Sequence, residues 1–315
     1  MTRSDSPPPR LPLATTGTHL GDFGTVEWGL LAGVAVIWGS SFFLMAVGLE
    51  SLRPGVVALA RVGLGAAALA LVPGARRAVD REDLPRIALL GIIWLGIPLS
   101  LFPVAQQWID SSVAGILNAG MPLTTAAWAT VLLRRAPGPR QLTGLVLGFL
   151  GVVAVFLPEL RESAANALGS GLVVLAVVLY GLAANVAVPL QQRYGALPVL
   201  WRAQLAALVV VVPFGLLSLP GSTFSWAPVL AMLPLGVLGT GLAFVLMTTL
   251  VGRVGGPRGT VAIYFVPLVA IALGVLARGE ALAPATVLGT VLVLLGAWLT
   301  SRREALAPPP AGRAA

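Results

Sequence analysis

Apolar residues fill ten stretches of the chain, at roughly 28–49, 54–73, 86–108, 112–133, 141–158, 168–189, 197–218, 226–249, 258–277 and 284–300. Turn formers or charges fill the gaps: Arg53-Pro54, the run from Arg76 to Arg86, the stretch from Arg134 to Arg140, Glu159 to Glu162, and Gly252 to Gly256. An apolar stretch of roughly 18 or more residues is long enough to cross a ~30 Å hydrocarbon core as a helix. The pattern therefore predicts an all-α integral membrane protein with ten transmembrane helices. Residues 1–26 hold SDSPPPR and many small polar side chains, cannot bury apolar area, and are expected to form a disordered tail. Residues 303–315 form a second tail. A cleavable signal would place its apolar region nearer the start, so the first span is expected to stay in the protein.

The pattern also repeats. Ala114 to Phe156 reads AGILNAGMPLTTAAWATVLLRRAPGPRQLTGLVLGFLGVVAVF, and a second copy begins at Gly259, 145 positions later without a gap. At that offset Pro122 matches Pro267, Leu123 matches Leu268, Ala127 matches Ala272, Pro139 matches Pro284, and Gly144 matches Gly289. Gly151 likewise matches Gly296. An earlier echo pairs VIWGSSF at Val36 with VLYGLAANV at Val178, aligning Trp38 with Tyr180 and Gly39 with Gly181. Self-similarity of this kind marks internal duplication. The halves, 28–158 and 168–302, hold five spans each, and an odd number forces the second half to enter the membrane from the opposite side. Two inverted five-helix repeats are an arrangement typical of secondary transporters, whose site lies near the midplane between the repeats.

Charge sets the orientation. With both termini inside, the inner segments hold 15 of the 20 arginines and the outer loops hold Arg53, Arg161 and Arg278. That bias puts both termini in the cytoplasm and the chain in the cytoplasmic membrane as a multi-pass protein. The net charge of +8 comes wholly from arginine, and those arginines punctuate apolar spans instead of forming a basic face, so no nucleic-acid partner is expected. Only 10% of residues are charged, against about 25% in soluble domains. The chain has no cysteine and one histidine, His19 in the N-terminal tail, which has no neighbours with which to form a site.

The residues VIWGSSFFLMAVGLESLRPGVVALAR in spans one and two, AQQWIDSSVAGILNAGMPLTTAAWATVLLRR in spans three and four, and the two Gly-rich closing spans together resemble the drug/metabolite transporter superfamily, specifically its EamA-type members. The resemblance covers about residues 28–302. It implies ten helices in inverted halves, a central cavity, and movement of solutes across the cytoplasmic membrane, often export of metabolites or amino acids. Family members usually carry an acidic residue after spans four and nine. Glu280 supplies it in the second half, but Arg135 stands at the first position, which implies a structural loop role.

Ionisable groups within a span are expensive and mark functional candidates. Arg61 follows Pro54 by seven residues and so lies about 10 Å into span two. Its guanidinium stays protonated and offers a fork for carboxylate or phosphate; the other reading is a side chain that snorkels outward or bonds carbonyls. Arg202, about five residues into span seven, is expected to snorkel. Trp38, Ser40 and Ser41 either line a cavity or serve close helix contact. Asn118, Met121, Thr124 and Trp128 share one broad face of span four, where Pro122 is expected to kink the helix and free carbonyls. Pro267 and Tyr264 occupy the matching region of span nine, and Tyr180, Asn185 and Gln106 complete the candidate binding set. Gly144, Gly148, Gly289 and Gly296 are read as packing positions, and the same faces can support a homodimer.

The middle of every span lacks a carboxylate, so transport is expected not to depend strictly on a proton gradient. No zinc motif, P-loop or dinucleotide fingerprint occurs; no catalytic or metal-ligating residue and no cofactor is expected. These features lead to a secondary transporter of a small, partly apolar metabolite, an amino acid or drug-like compound, exported by alternating access. Its partners would be that small molecule and membrane lipid. Two other classes remain on this reading: an intramembrane enzyme, for which Ser40 and Ser41 lack a base, and a membrane protein of packing or regulatory role without flux.

Overall fold

The computed structural model describes residues 11–109, 111–134, 136–160, 167–269 and 284–302. The expected tails at 1–10 and 303–315, the loop positions Arg135 and Glu280, and the later part of the ninth predicted span lie outside the described residues. The described secondary structure is helical throughout. Five helical stretches are long and apolar enough to cross a bilayer: Thr25–Leu49, Arg81–Ala105, Ala167–Tyr194, Ala196–Gly221 and Trp226–Val254. Shorter apolar helices fill the sequence between and after them.

Helix α1 (Thr25–Leu49) runs without a break, and its start is fixed by Glu27, whose carboxylate accepts from the Gly24 N–H at 2.9 Å. Helix α2 (Pro54–Ala70) begins on a proline, where a missing N–H costs nothing. The third apolar stretch is two α-helices, α3 (Leu84–Leu90) and α4 (Ile97–Ala105), joined by a π-helical turn at Gly91–Gly96. Pro98 has no N–H to give to Trp94, and a Cβ at Gly91 would strike the backbone of Ala203, so widening of this turn and close packing occur together. The corresponding stretch of the second half is built alike: α10 (Trp226–Pro234) and α11 (Ala243–Val254) flank a π-turn at Leu235–Leu242 that follows Pro234.

Between these lie α5 (Ser111–Asn118), α6 (Met121–Leu133), α7 (Pro139–Leu160), α8 (Ala167–Tyr194) and α9 (Ala196–Ser218). The predicted fourth span is thus two helices. It breaks at Ala119–Gly120, and Pro122 sits in the first turn of α6 instead of kinking a continuous helix, because a proline there loses no hydrogen bond. The ninth stretch repeats the device. The short α12 (Gly256–Gly259) passes into a 3₁₀ segment at Thr260–Phe265, and α-helix resumes at Val266, one residue before Pro267. Helix α13 (Pro284–Ser301) closes the fold.

Helices that correspond between the halves pack on each other: α2 on α9, and α7 on α13. The second pair is held by glycine. A Cβ at Gly296 would press on Gly148 N and Gly144 O, one at Gly144 on Gly296 O and Thr300, and one at Gly151 on Gly289 O. The glycine faces read as packing positions therefore meet within the chain, and a dimer would have to use other surface. The connection α1–α2 lies at one end of the bundle, where the Arg53 guanidinium donates to Gly221 O at 3.0 Å and Thr223 N–H donates to Ser51 O at 2.9 Å. The equivalent connection α8–α9 lies at the other end, so the halves run in opposite directions. That other end also holds both described termini, since Phe23 N–H donates to Ser301 O at 3.2 Å; it is called the terminal end below.

Residues 11–24, expected to be disordered, form a strap across the terminal end. Gln192 donates to Thr16 O at 2.8 Å, His19 N–H to Arg253 O at 2.6 Å, and Arg258 to His19 O and Gly21 O at 3.2 and 2.6 Å. Ala14 is buried, Leu11 and Phe23 pack on the core, and side-chain donors from Gln192 and Arg258 hold the strap's carbonyls.

A candidate binding cavity between the two halves

A cavity of about 60 Å³ lies where the helices of both halves converge. This has room for a few water molecules. Its walls come in repeat-related pairs. Asn118 and Ile263, Met121 and Val266, and Leu99 and Phe244 each stand 145 positions apart, and the aligned Trp38 and Tyr180 also line it. The interruptions explain the convergence. Breaking span four before Met121 and span nine before Val266 turns both segments so that equivalent residues meet at the centre.

Five aromatic rings line the wall, with aliphatic side chains between them. Phe244 packs edge-to-face with Trp38 at 5.1 Å and with Trp94 at 5.4 Å, and Phe102 stacks on Tyr180 at 5.9 Å. The polar part is organised by the π-turn Leu235–Leu242. Gly239 O accepts from Trp38 Nε1 at 2.9 Å, Thr240 O accepts from Gln204 Nε2 at 2.8 Å, and the Thr240 hydroxyl accepts from Arg61 Nε at 3.1 Å. Widened turns free carbonyls and recur at functional sites. Arg61 is only 6% exposed. Its two Nη groups make no hydrogen bond or ion pair among the described residues, and no lining residue is acidic. Asn118 Oδ1 is likewise buried without a partner. Arg61 lies seven residues into α2, and Met45 and Phe102 lie near the far ends of α1 and α4, so the cavity occupies the half away from the termini. Toward the terminal end the helices are packed solid around Thr125, Asn185 and Gly256.

Of the residues singled out from sequence, the structure brings Trp38, Ser41, Arg61, Asn118, Met121 and Tyr180 to the cavity. The others serve elsewhere. Ser40 donates to Ile37 O at 3.0 Å within α1. Gln106 caps α4 beyond the cavity. Trp128 donates to Val178 O at 3.0 Å, and Asn185 to Thr125 O and Gly181 O at 2.9 Å, tying α6 to α8. Tyr264 donates to Leu145 O at 2.7 Å and binds the 3₁₀ segment to α7. Arg202, expected to snorkel, instead donates to Pro198 O and Ala75 O at 3.1 and 3.2 Å. Sequence reading missed Met45, Trp94, Leu99, Phe102 and Phe244. A signal for Trp94 existed in the kindred glycine-rich stretches GIIWLG and LGVLGTG. Among the described residues no group of histidine, aspartate and glutamate is placed to hold a metal ion.

The model of the EamA-like transporter family matches residues 27–157 and again 167–302, one match per half. The chain belongs to the EamA-like transporter family. It is 30% identical over 283 residues to a probable terminal-alkyne amino-acid exporter of Streptantibioticus cattleyicolor, covering 88% of this chain and 93% of that protein. It is 24% identical over 282 residues to an uncharacterized transporter of Archaeoglobus fulgidus, covering 88% and 99%. It is 26% identical over 300 residues to the inner membrane transporter YedA of Escherichia coli, covering 89% and 94%. A solved crystal structure superposes with a TM-score of 0.69 at 17% identity over 87% of this chain and 95% of that one, which shows the shared fold. This EamA-like chain is a multi-pass membrane transporter of a small molecule, and it is not an enzyme.

Proposed function

We propose that this EamA-like chain crosses the membrane ten times with both termini in the cytoplasm and exports a small metabolite with a carboxylate and an apolar body, an amino acid being the class that fits. The observation that carries this reading is Arg61. A guanidinium with two open donor groups sits in a cavity whose wall includes the rings of Trp38, Trp94, Phe102, Tyr180 and Phe244. Arginine is suited to bidentate capture of a carboxylate. The unpartnered Asn118 Oδ1 offers an acceptor to an ammonium group, and the rings enclose an apolar side chain.

The arginine distribution supports the orientation, and with it the cavity lies in the outer half. The relative named an amino-acid exporter supports the substrate class. Rocking of the inverted halves would present the cavity to each side in turn. Among the described residues, none that lines the cavity is a carboxylate or a histidine, in keeping with transport that does not require a proton gradient.

The test is efflux of radiolabelled leucine, phenylalanine and norvaline from vesicles containing the purified chain. Efflux of at least one of them, inhibited by the others and not by the matching amines, agrees with the proposal. Transport of amines or sugars in place of carboxylates would refute it, and loss of flux on collapsing a proton gradient would refute the coupling.

A further inference from the structure

Among the described residues, no acidic side chain pairs with Arg61. Its side chain is 6% exposed, Nε is spent on the Thr240 hydroxyl at 3.1 Å, and the Nη groups have no partner among the described residues. Three of the described acids are engaged in ion pairs at the terminal end. Glu27 pairs with Arg253, and Asp80 and Asp83 pair with Arg193. The nearby acceptors are also largely taken: Gly239 O holds Trp38, and Thr240 O holds Gln204.

A guanidinium does not discharge by losing its proton. While the cavity is open to water, solvent can satisfy the Nη groups. Moving the cavity from one side to the other requires a state closed at both ends, from which water is largely expelled. In that state an uncompensated cation among five aromatic rings pays a heavy desolvation penalty. A carboxylate on the Nη groups removes the penalty, because the pair crosses as a neutral, hydrogen-bonded unit.

We propose that Arg61 is an anion gate: the cavity changes sides only with a carboxylate bound, so the chain exchanges one carboxylate for another and does not return empty. This rests on the alternating-access reading above. It adds that an inward-moving monocarboxylate is a second substrate of the same site, and that its gradient can drive export. The class of the counter-substrate is a small monocarboxylate, which the cavity volume and the single cation both favour.

The experiment uses the chain's lack of cysteine. Thr125 is fully buried on the terminal side of the cavity, where its hydroxyl donates to Met121 O at 2.7 Å. A Thr125→Cys thiol is therefore reached from water only when the terminal end opens. Its reaction with a small methanethiosulfonate reagent is followed in detergent at fixed ionic strength, in sodium lactobionate, a carboxylate whose disaccharide body is too bulky for a cavity of about 60 Å³, with and without sodium acetate as the small carboxylate. Melting curves confirm that each variant is folded.

Acetate is expected to raise the labelling rate about tenfold, the ratio that about 1.4 kcal/mol produces. The acetate effect should persist in Arg61→Lys, which keeps the charge. It should vanish in Arg61→Gln, which labels at one rate in both salts. Acetate-independent labelling of the Arg61 chain, or equal acetate dependence in Arg61→Gln, overturns the gate while leaving transport intact. A thiol that stays silent under every condition overturns alternating access itself and the gate with it. Absence of leucine efflux into a bath that contains acetate bears on the amino-acid reading alone and does not alter the acetate readout.

Discussion

Glu27 Oε1 accepts from Arg253 Nε at 2.7 Å and lies 2.6 Å from Arg253 Nη2, joining the first helix of one half to the last turn of α11 in the other. Glu27 is 2% exposed and Arg253 39%. A second bridge, from Arg193 and Tyr194 to Asp80 and Asp83, spans the halves at the same end. The far end has no ion pair among the described residues; Arg53 holds only backbone and a hydroxyl there. The ionic locks thus sit on the end that must open if the cavity is to face the termini.

Breaking the first lock is expected to weaken terminal-end closure. Removing one partner of a fully buried pair costs about 3–5 kcal/mol, and exposed pairs carry about 0.2–1 kcal/mol. With Arg253 more than a third exposed, Glu27→Gln should cost about 1–2 kcal/mol. A double-mutant cycle with Arg253→Gln, read by thermal melting in detergent, should give a coupling near 1 kcal/mol. Strict additivity would show that the pair contributes nothing.

The strap gives a second expectation. A Cβ on Gly17 would meet the backbone of Arg253, Val254 and Gly255, none of which can swing aside. Gly17→Val should therefore lift residues 11–24, with loss of the bonds from Gln192 and Arg258 to their carbonyls. Hydrogen exchange of the strap amides should rise by at least about tenfold while α8 and α9 stay protected. Unchanged exchange would mean that the strap is anchored upstream of Gly17.

These contacts show which parts of the molecule could be read in the sequence. The approximate location of the helical stretches followed from hydropathy, because a buried apolar stretch looks the same whatever it packs on, but the breaks inside the third, fourth, eighth and ninth stretches did not. That Gly144 and Gly148 mark a close-packing face could also be read, since small residues four apart on a helix allow close approach, but not which helix they meet. The partners of polar side chains did not follow. Trp128, Asn185 and Tyr264 are amphipathic residues in apolar spans, as Trp38 and Asn118 are. Only the tertiary register shows that the first three spend their donors on carbonyls while Asn118 keeps an open acceptor. Trp38 meets Gly239 across 201 positions of sequence, a distance over which local pattern carries no information. The strap was misjudged for a related reason. Its apolar residues are scattered among small polar ones, and what orders it includes a set of donors far along the chain.

Glycine substitutions provide a paired control. Gly296 faces Gly148 N and Gly144 O, so Gly296→Val must separate α7 from α13 and should cost about 2–3 kcal/mol or prevent folding. Gly171, in α8, has open space around its Cβ direction. Gly171→Ala should be neutral or stabilise by up to about 1 kcal/mol through helix propensity. Melting temperatures of the two variants should move in opposite directions. If Gly296→Val melted like the parent, the close approach of α7 and α13 would be refuted.

Arg61→Met separates the two roles the cavity cation can have. If Arg61 is there for structure, through its bond to Thr240, removing it strands a buried hydroxyl and lowers stability by about 1–3 kcal/mol. If it is there for ligand, its unpaired charge is a burden on the folded protein, and an apolar side chain of similar length should leave stability unchanged or raise it. The second outcome is expected, because Thr240 retains a bond to Leu235 O at 3.3 Å when Arg61 is gone. Flux of a carboxylate substrate should fall about 10- to 100-fold, the loss of a charge-assisted hydrogen bond worth about 1.5–3 kcal/mol. Arg61→Lys, a point charge without the fork, should fall between the two. Melting and vesicle flux measured on the same preparations decide it: higher stability with lost flux assigns Arg61 to the ligand, and lower stability with retained flux assigns it to the fold.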